Sequence, residues 1–463
     1  MSFSALPGTL FIAGYVASAL AASLHALLTK SDPRSAVSWI ALCCLFPLGG
    51  SILYWLFGIN RVATRAQLQD QSGADAQAPI APGASALAQL VRAGDVLTGI
   101  ECVAGNSLEP LHNGEVAFPK MLRAIAEARH SVWLATYIFQ TDPVGLEFVA
   151  ALAAANARGV HVRVLVDGIG EWYDWPHVVP VLRRAGVTAA RFLPPRLLPP
   201  SLALNCRNHR KLLVVDGTTA FTGGMNLGGR EVGGSTGRRM SDIHFELHGP
   251  VVEQLGQTFA ADWRFATAER LRVPPSAGAA GESICRVVTG GPDESADKLL
   301  LLLLSAIATA QRQVQIMTPY FIPPPELIAE LQSAALRGLE VSLLLPSHSN
   351  LRYVDWATMH WLPALIKRGV QVYLQQPPFS HAKLFIIDAH YAQIGSVNVD
   401  TRSLRLNFEI AVEVFCAAQC GPLASFISEL QQRSVRLTWA QARCVPPLAG
   451  VRNSLCWLIS PYL

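Results

Sequence analysis

A chain of 463 residues has room for a membrane anchor and two domains. Its net charge is only +4, with 15% charged and 51% hydrophobic residues and no long Lys/Arg run, which excludes a nucleic-acid binder built on basic patches. The nine cysteines are irregularly spaced, odd in number and lack a C-x-x-C pair, which excludes a disulfide framework and a zinc knuckle.

Residues 1–29 carry no Asp, Glu, Lys or Arg. Within them, 9–28 is long enough to cross a bilayer as a helix, which takes about 20 residues. Lys30 to Arg34 breaks the run. A second uncharged run, Ser35 to Asn60, holds Pro47, Gly49 and Gly50, so a span over 36–58 is expected to kink. Trp39, Tyr54 and Trp55 fall where interfacial aromatics sit. Residues 1–61 are therefore expected to form a two-helix transmembrane hairpin in the lipid bilayer. The following stretch, 62–100, is rich in Ala, Gln, Gly and Pro and reads as a flexible linker whose Ala-rich end suits a short helix.

From Glu101 the pattern is α/β. Apolar spacing predicts a helix over Ala117–Ala128, a strand over Ser131–Phe139 and a helix over Gly145–Arg158 that Gly159 would end. Val160–Val166 alternates as a strand before a turn at Asp167-Gly168. Leu212–Val215 is a second apolar strand, and Asp216-Gly217 is a hairpin-turn pair. The order then repeats. Helices are expected over Leu299–Ala310 and Glu326–Arg337, and strands over Val314–Ile322 and Val341–Leu345. Two tandem α/β halves, 101–275 and 276–463, should meet near Pro274–Gly281, pack face to face and form one cleft.

What that cleft would contain follows from the repeat. His209-Arg-Lys211 is followed by Asp216, Gly223-Gly224 and Asn226. His381-Ala-Lys383 recurs 172 residues later, with Asp388, Gly395-Ser396 and Asn398. Only six of the 37 basic residues are lysines, yet two of the six hold matching places. In a strand, residues two apart share a side, so each His and Lys project together, about 6 to 7 Å apart. That suits one phosphate: an imidazole to attack phosphorus and an ammonium to hold its oxygens.

These residues resemble the phospholipase D superfamily with its paired HKD motifs, and more narrowly its bacterial cardiolipin synthases. The likeness also runs through Pro33 to Gly58, Tyr137-Ile138-Phe139, His248-Gly249-Pro250 to Asp262-Trp263, Thr318 to Phe321 and Asp400 to Glu409. Met240 departs from it, standing where an aromatic is expected.

The resemblance implies a membrane-bound phosphatidyltransferase at the bacterial inner membrane. Lys30 and Arg34 lie between the spans and Arg61 and Arg65 after them, so flanking charge does not decide the orientation, and the catalytic part is expected on the cytosolic side. Its substrate would be phosphatidylglycerol, with no nucleic-acid partner. His209 is the expected nucleophile and His381 the expected acid-base. Lys211 and Lys383 would bind the non-bridging oxygens, with Asn226 and Asn398 adding hydrogen bonds. Asp216 and Asp388 belong to the motif and are carried with the catalytic set. Both stand roughly 20 Å from their histidines along an extended strand, which suits fixing a hairpin or the interface between halves. Better orienting carboxylates are Asp242, 33 residues after His209, and Glu409, 28 after His381. The Asp/Glu/His clustering that paired-cation phosphoryl transfer needs is absent, so no cofactor or metal is expected. The Pro-rich stretch 191–200 suits a lip in the lipid headgroups. A hydrolytic phospholipase D, and synthesis from phosphatidylethanolamine as donor, stay open at this point.

Overall fold

The computed structural model describes residues 6–30, 33–58, 85–195, 206–232, 239–276, 278–292 and 297–459. The chain divides into two units, residues 1–71 with 196–202, and the remainder.

The first unit contains α1 (Leu6–Thr29), α2 (Pro33–Leu45) and α3 (Pro47–Leu53), then a wider π-helical turn over Tyr54–Gly58. Proline cannot donate within a helix. Accordingly Pro47 ends the run of α2 and opens α3, which is the expected kink. Tyr54 is buried, its hydroxyl 2.7 Å from His25 Nδ1 and its ring edge-on to Trp39. Leu20, Leu24, Leu27 and Leu45 face outward. Among the described residues, no helix is long and apolar enough to cross a membrane.

The second unit opens with α4 (Ala86–Thr98), capped by Ser85 Oγ and closed by Gly99 at φ +66°. This part of the expected linker is folded. Leu90 enters the core of the second half. Gly94 leaves room for Arg286, whose guanidinium lies 1.6 Å from where a Cβ would be. Arg286 is wholly buried and pairs with Asp95 and Glu413, each at 2.6 Å. The rest of the expected linker, 62–84, lies outside the described residues.

Seven strands build each half. The first has β1 (Val103–His112), β2 (Ser131–Thr136), β3 (His161–Asp167), β4 (Thr188–Phe192), β5 (Leu212–Val215), β6 (Thr219–Gly223) and β7 (Ile243–His248). The second has β8 (Ser283–Gly290), β9 (Gln313–Met317), β10 (Glu340–Pro346), β11 (Gln371–Gln375), β12 (Leu384–Ile387), β13 (Tyr391–Gly395) and β14 (Glu409–Phe415), with a short β15 (Val435–Arg436) at its edge. They form one 15-stranded sheet in the order β15-β11-β10-β9-β12-β13-β14-β8-β1-β7-β6-β5-β2-β3-β4. Outward from the β8–β1 seam, both halves repeat one order. They therefore join edge to edge, not face to face as expected. The seam pairs Val103 with Cys285 and Asn106 with Ser283. It satisfies two strand edges whose amides and carbonyls would otherwise be unpaired.

Helices cover the sheet: α5 (Gly114–Glu127), α6 (Pro143–Ala157), α7 (Val178–Arg184) and α8 (Val251–Thr267) in the first half. Their counterparts are α9 (Lys298–Thr309), α10 (Pro325–Leu336), α11 (Arg352–Lys367) and α12 (Ala417–Gln432), and α13 (Pro447–Leu458) packs on α11. The parallel strands β2-β3-β4 and β9-β10-β11 are covered on their faces and hence nearly continuous in apolar residues. Gly159 and Gly338, at φ +89° and +91°, end α6 and α10 at equivalent places.

Asp216 and Asp388 sit at the base of this architecture. Asp216 accepts from the amides of Arg129, His130 and Ser131 at 2.7–2.8 Å. Asp388 does the same for Gln311, Arg312 and Gln313, each at 2.8 Å. Each ties its hairpin to the start of the neighbouring parallel strand within its own half. Neither reaches the interface between halves, and neither lines the cleft that holds the histidines.

Candidate active site

Opposite that base, at the carboxyl ends of the parallel strands, lies a cleft with a volume of about 250 Å³. Both motif histidines line it, with Tyr137, Tyr173 and Asn226 from the first half and Tyr320, Asn398 and Arg402 from the second.

The histidines precede β5 and β12, in segments that leave their own sheet and lie against the other half. Asn208 bridges Phe408, and His209 donates its amide to the Phe408 carbonyl at 2.9 Å. Ser380 pairs with Ser241, and His381 donates to the Ser241 carbonyl at 2.7 Å. Phe408 and Ser241 are the residues before Glu409 and Asp242. Each histidine is therefore set beside the other half's carboxylate. His209 Nδ1 lies 3.1 Å from Glu409, and His381 Nδ1 lies 3.0 Å from Asp242. The two orienting carboxylates are thus the expected residues with exchanged partners. An Nδ1–H bonded to a carboxylate leaves Nε2 as the lone-pair nitrogen for the cleft.

Several groups hold this arrangement. Arg210 pairs with Asp262 at 2.5 Å and donates to the carbonyls of Glu409 and Gly290 at 2.9 and 3.1 Å. Asp167, buried at the end of β3, accepts from the Asn208 amide at 2.8 Å. Ser396 and Ser403 donate their hydroxyls to the two oxygens of Glu409. Tyr137 packs its ring 5.2 Å from His209, and Tyr320 lies 6.0 Å from His381.

Burial sets the charges. It lowers the pKa of both imidazoles, and with Lys383 alongside it takes His381 down to about 3. It also lowers Lys211 to about 7 and Lys383 to about 8, against the pull of Glu409 and Asp242 respectively. Burial opposes ionisation of Glu409 and Asp242, but their histidine partners, the nearby lysines and further hydrogen bonds together outweigh it and hold both below the ordinary carboxylate range. Lys211 Nζ donates to its own histidine's carbonyl at 2.8 Å, and Lys383 makes the equivalent bond. Asn226 accepts from the Ile138 amide at 3.2 Å, which leaves its NH₂ for the cleft. Asn398 is buried with its Oδ1 unpartnered.

The repeat also contains residues given no role from sequence. Glu231 and Ser403 are 172 residues apart, as the histidines are. They are equivalent in structure, since the amides of Asn226 and Asn398 donate to them at 3.2 and 3.1 Å. Glu231 is buried with one carboxyl oxygen unpartnered, and burial, with Asp242 adding to it, raises its pKa to about 8. Gly224 takes the place of Ser396. A Cβ there would lie 2.4 Å from both Asp242 oxygens, so glycine is required. The 172-residue offset, applied beyond the motif, would have found both. Of the stretch 191–200, Arg191 pairs with Glu171, and 196–200 lies outside the described residues.

A family model described as "Cardiolipin synthase, PLD-like domain" matches residues 121–263 and 303–431, and one described as "Phospholipase_D-nuclease N-terminal" matches 17–58. The chain is 30% identical over 457 residues to a cardiolipin synthase of Geobacillus thermodenitrificans, covering 94% of this chain and 90% of that one. It is 31% identical to cardiolipin synthase A of Pseudomonas aeruginosa, covering 98% and 96%. Among solved structures, phosphatidylserine synthase of Haemophilus influenzae shares the fold, with a TM-score of 0.63 and 14% identity over 81% of this chain and 100% of that one.

Proposed function

The chain belongs to the cardiolipin synthase, PLD-like family, and we propose that it moves the phosphatidyl group of one phosphatidylglycerol to another, giving cardiolipin and glycerol. It is a phosphatidyltransferase of the phospholipase D type. The observation that carries the mechanism is the pair of carboxylate-oriented histidines facing one cleft.

His209 Nε2 attacks phosphorus, forming a P–N bond while the bond to the glycerol oxygen breaks. His381, protonated in the complex, gives its proton to that oxygen. Burial and Lys383 hold His381 neutral in the free protein, and the negative phosphodiester of the bound lipid favours the charged form. His381 then takes the proton of the second lipid's glycerol hydroxyl, whose oxygen displaces His209. A covalent route splits one difficult displacement into two, and the acid-base contributes about 10² to 10⁴-fold. Lys211, Lys383 and the amides of Asn226 and Asn398 hold the non-bridging oxygens. The neutral state of His381 favours one second reading, in which His381 attacks and His209 is the acid-base.

The first unit is read as the membrane hairpin of a bacterial inner-membrane enzyme with a cytosolic catalytic part. Its uncharged runs, its outward leucines and the match over 17–58 support this. Reporters fused after residues 32 and 463 test the orientation.

The deciding experiment incubates purified protein in detergent with labelled phosphatidylglycerol, beside His209→Ala and His381→Ala. Cardiolipin and glycerol from the unaltered protein alone are expected. Phosphatidic acid alone would make it a hydrolase. Cardiolipin formed only after adding phosphatidylethanolamine would change the donor.

A further inference from the structure

The cleft is too small for acyl chains. Pockets that enclose drug-sized ligands run from about 300 to 1,000 Å³, and this one, at about 250 Å³, has room for headgroups. If the substrates are phospholipids, as proposed above, their chains stay outside while phosphorus reaches the histidines. The mouth must then lie at the depth of the headgroups.

Two surfaces beside the mouth have the character that depth requires. On the first half, the turn after β3 exposes three aromatic rings: Trp172, Tyr173 and Trp175, the last 79% exposed. Tyr173 itself lines the cleft. Tryptophan and tyrosine favour the boundary between water and lipid, where the ring is buried and the polar tip is wet. On the second half, α13 turns Trp457 inward against α11, stacked on His360 at 4.4 Å. Trp457 joins a small apolar cluster with Leu351 and Val354, which also line the cleft. Its outer face carries Leu448, Val451, Leu455 and Leu458, all more than half exposed, with Leu448 at 86%. Spacings of three, four and three put them on one stripe. The segment that carries the stripe, residues 430–463, contains four arginines and no Asp or Glu. Arg452 and Arg443 lie over the rings of Trp356 and Trp439.

We propose that the outer face of α13 and the Trp172–Trp175 turn dock on an anionic phospholipid bilayer and hold the cleft mouth against the headgroups. An apolar stripe with arginine flanks inserts shallowly and is drawn to anionic lipid. The same face would repel a basic partner and offers no acidic group to pair with a second copy.

The test uses the full chain with two substrates. One is phosphatidylglycerol in phosphatidylcholine vesicles, and the other a short-chain phosphatidylglycerol dispersed as monomers. Leu448→Ser with Leu455→Ser, and Trp172→Ser with Trp175→Ser, are compared with Leu336→Ser, an exposed leucine at the end of α10 away from the cleft. Turnover on vesicles should fall at least about tenfold in the two double variants, the loss expected from withdrawing even one leucine from an apolar phase, with the short-chain rate and the Leu336→Ser rates unchanged. Equal losses on both substrates, or none, overturn the proposal. If the unaltered protein makes no cardiolipin from either substrate, the reaction assigned above fails and docking is read separately. Benzoylphenylalanine is then placed at 455, 175 and 336 and photolysed on the same vesicles. Lipid adducts at 455 and 175 but not 336 support docking. Cross-links to a second copy, or equal adducts at all three, overturn it.

Discussion

His209 places its Nδ1 3.1 Å from Glu409, a carboxylate 200 residues away in the other half, and donates its amide to the residue just before it. Asp242 and His381 make the reciprocal pair. Neither half can orient its own histidine. The active site therefore exists only when both halves are folded and joined at the β1–β8 seam.

This crossing ties each carboxylate to one proposed role, Glu409 to the nucleophile and Asp242 to the acid-base. Glu409→Gln should slow formation of the phosphoenzyme, because Glu409 orients the attacking His209. Asp242→Asn should disturb His381, the acid of the first step and the base of the second, and so slow both formation and breakdown of the phosphoenzyme. Each should lower overall turnover by about 10² to 10⁴-fold with folding intact. Quenching at alkaline pH, which preserves the acid-labile P–N bond, and peptide mapping read both outcomes. Label on residue 381 instead of 209 would establish the second assignment of roles.

Gly224→Ala should disable the site without unfolding the half. The new Cβ would lie 2.4 Å from the Asp242 carboxylate, which must then move away from His381. Turnover falls, while the thermal midpoint shifts by no more than a few degrees. An active Gly224→Ala enzyme would show that Asp242 does not set the histidine.

The pH profile follows from the lysines. Both must be charged to hold phosphate oxygens, and the free protein holds Lys211 at about 7 and Lys383 at about 8. The rate constant kcat/KM should fall as pH rises through this range. In kcat the fall moves to higher pH, because bound phosphate favours the charged lysines. Glu231 loses its proton near 8 beside Asp242. Its anion helps keep Lys211 and Lys383 charged, so Glu231→Gln should keep activity at neutral pH and lose more of it above pH 8. Stability has the opposite slope to activity for Lys211. Its folded pKa lies below its unfolded one, so the unfolded chain binds more protons between about 7 and 10.5, and stability from this group rises with pH over that window.

Arg286→Ala should destabilise the catalytic body by about 3 to 5 kcal/mol, since it leaves the buried Glu413 without its cation. It also removes one of the ties that hold α4 to the second half, beside the buried Leu90, so proteolysis near residue 85 should accelerate. A melting profile identical to that of the unaltered protein would count against this.

The amino-acid sequence by itself determined the local pieces and the chemistry. The alternation of apolar residues, the glycines at 159 and 338 and the Asp216-Gly217 turn set each strand, helix and hairpin through interactions within a few residues. The doubled His-x-Lys pattern located both His–Lys pairs, and both histidines line the one cleft. The tertiary structure alone decided how the halves join and which carboxylate meets which histidine. Alignment of the repeat identifies Asp242 and Glu409, but it treats each half as complete. The choice of partner depends on hydrogen bonds between Asn208–His209 and Phe408, and between Ser380–His381 and Ser241, across segments some 140 to 200 residues apart. No local propensity encodes such a pairing. It follows from two sheet edges that remain unpaired until each finds the other.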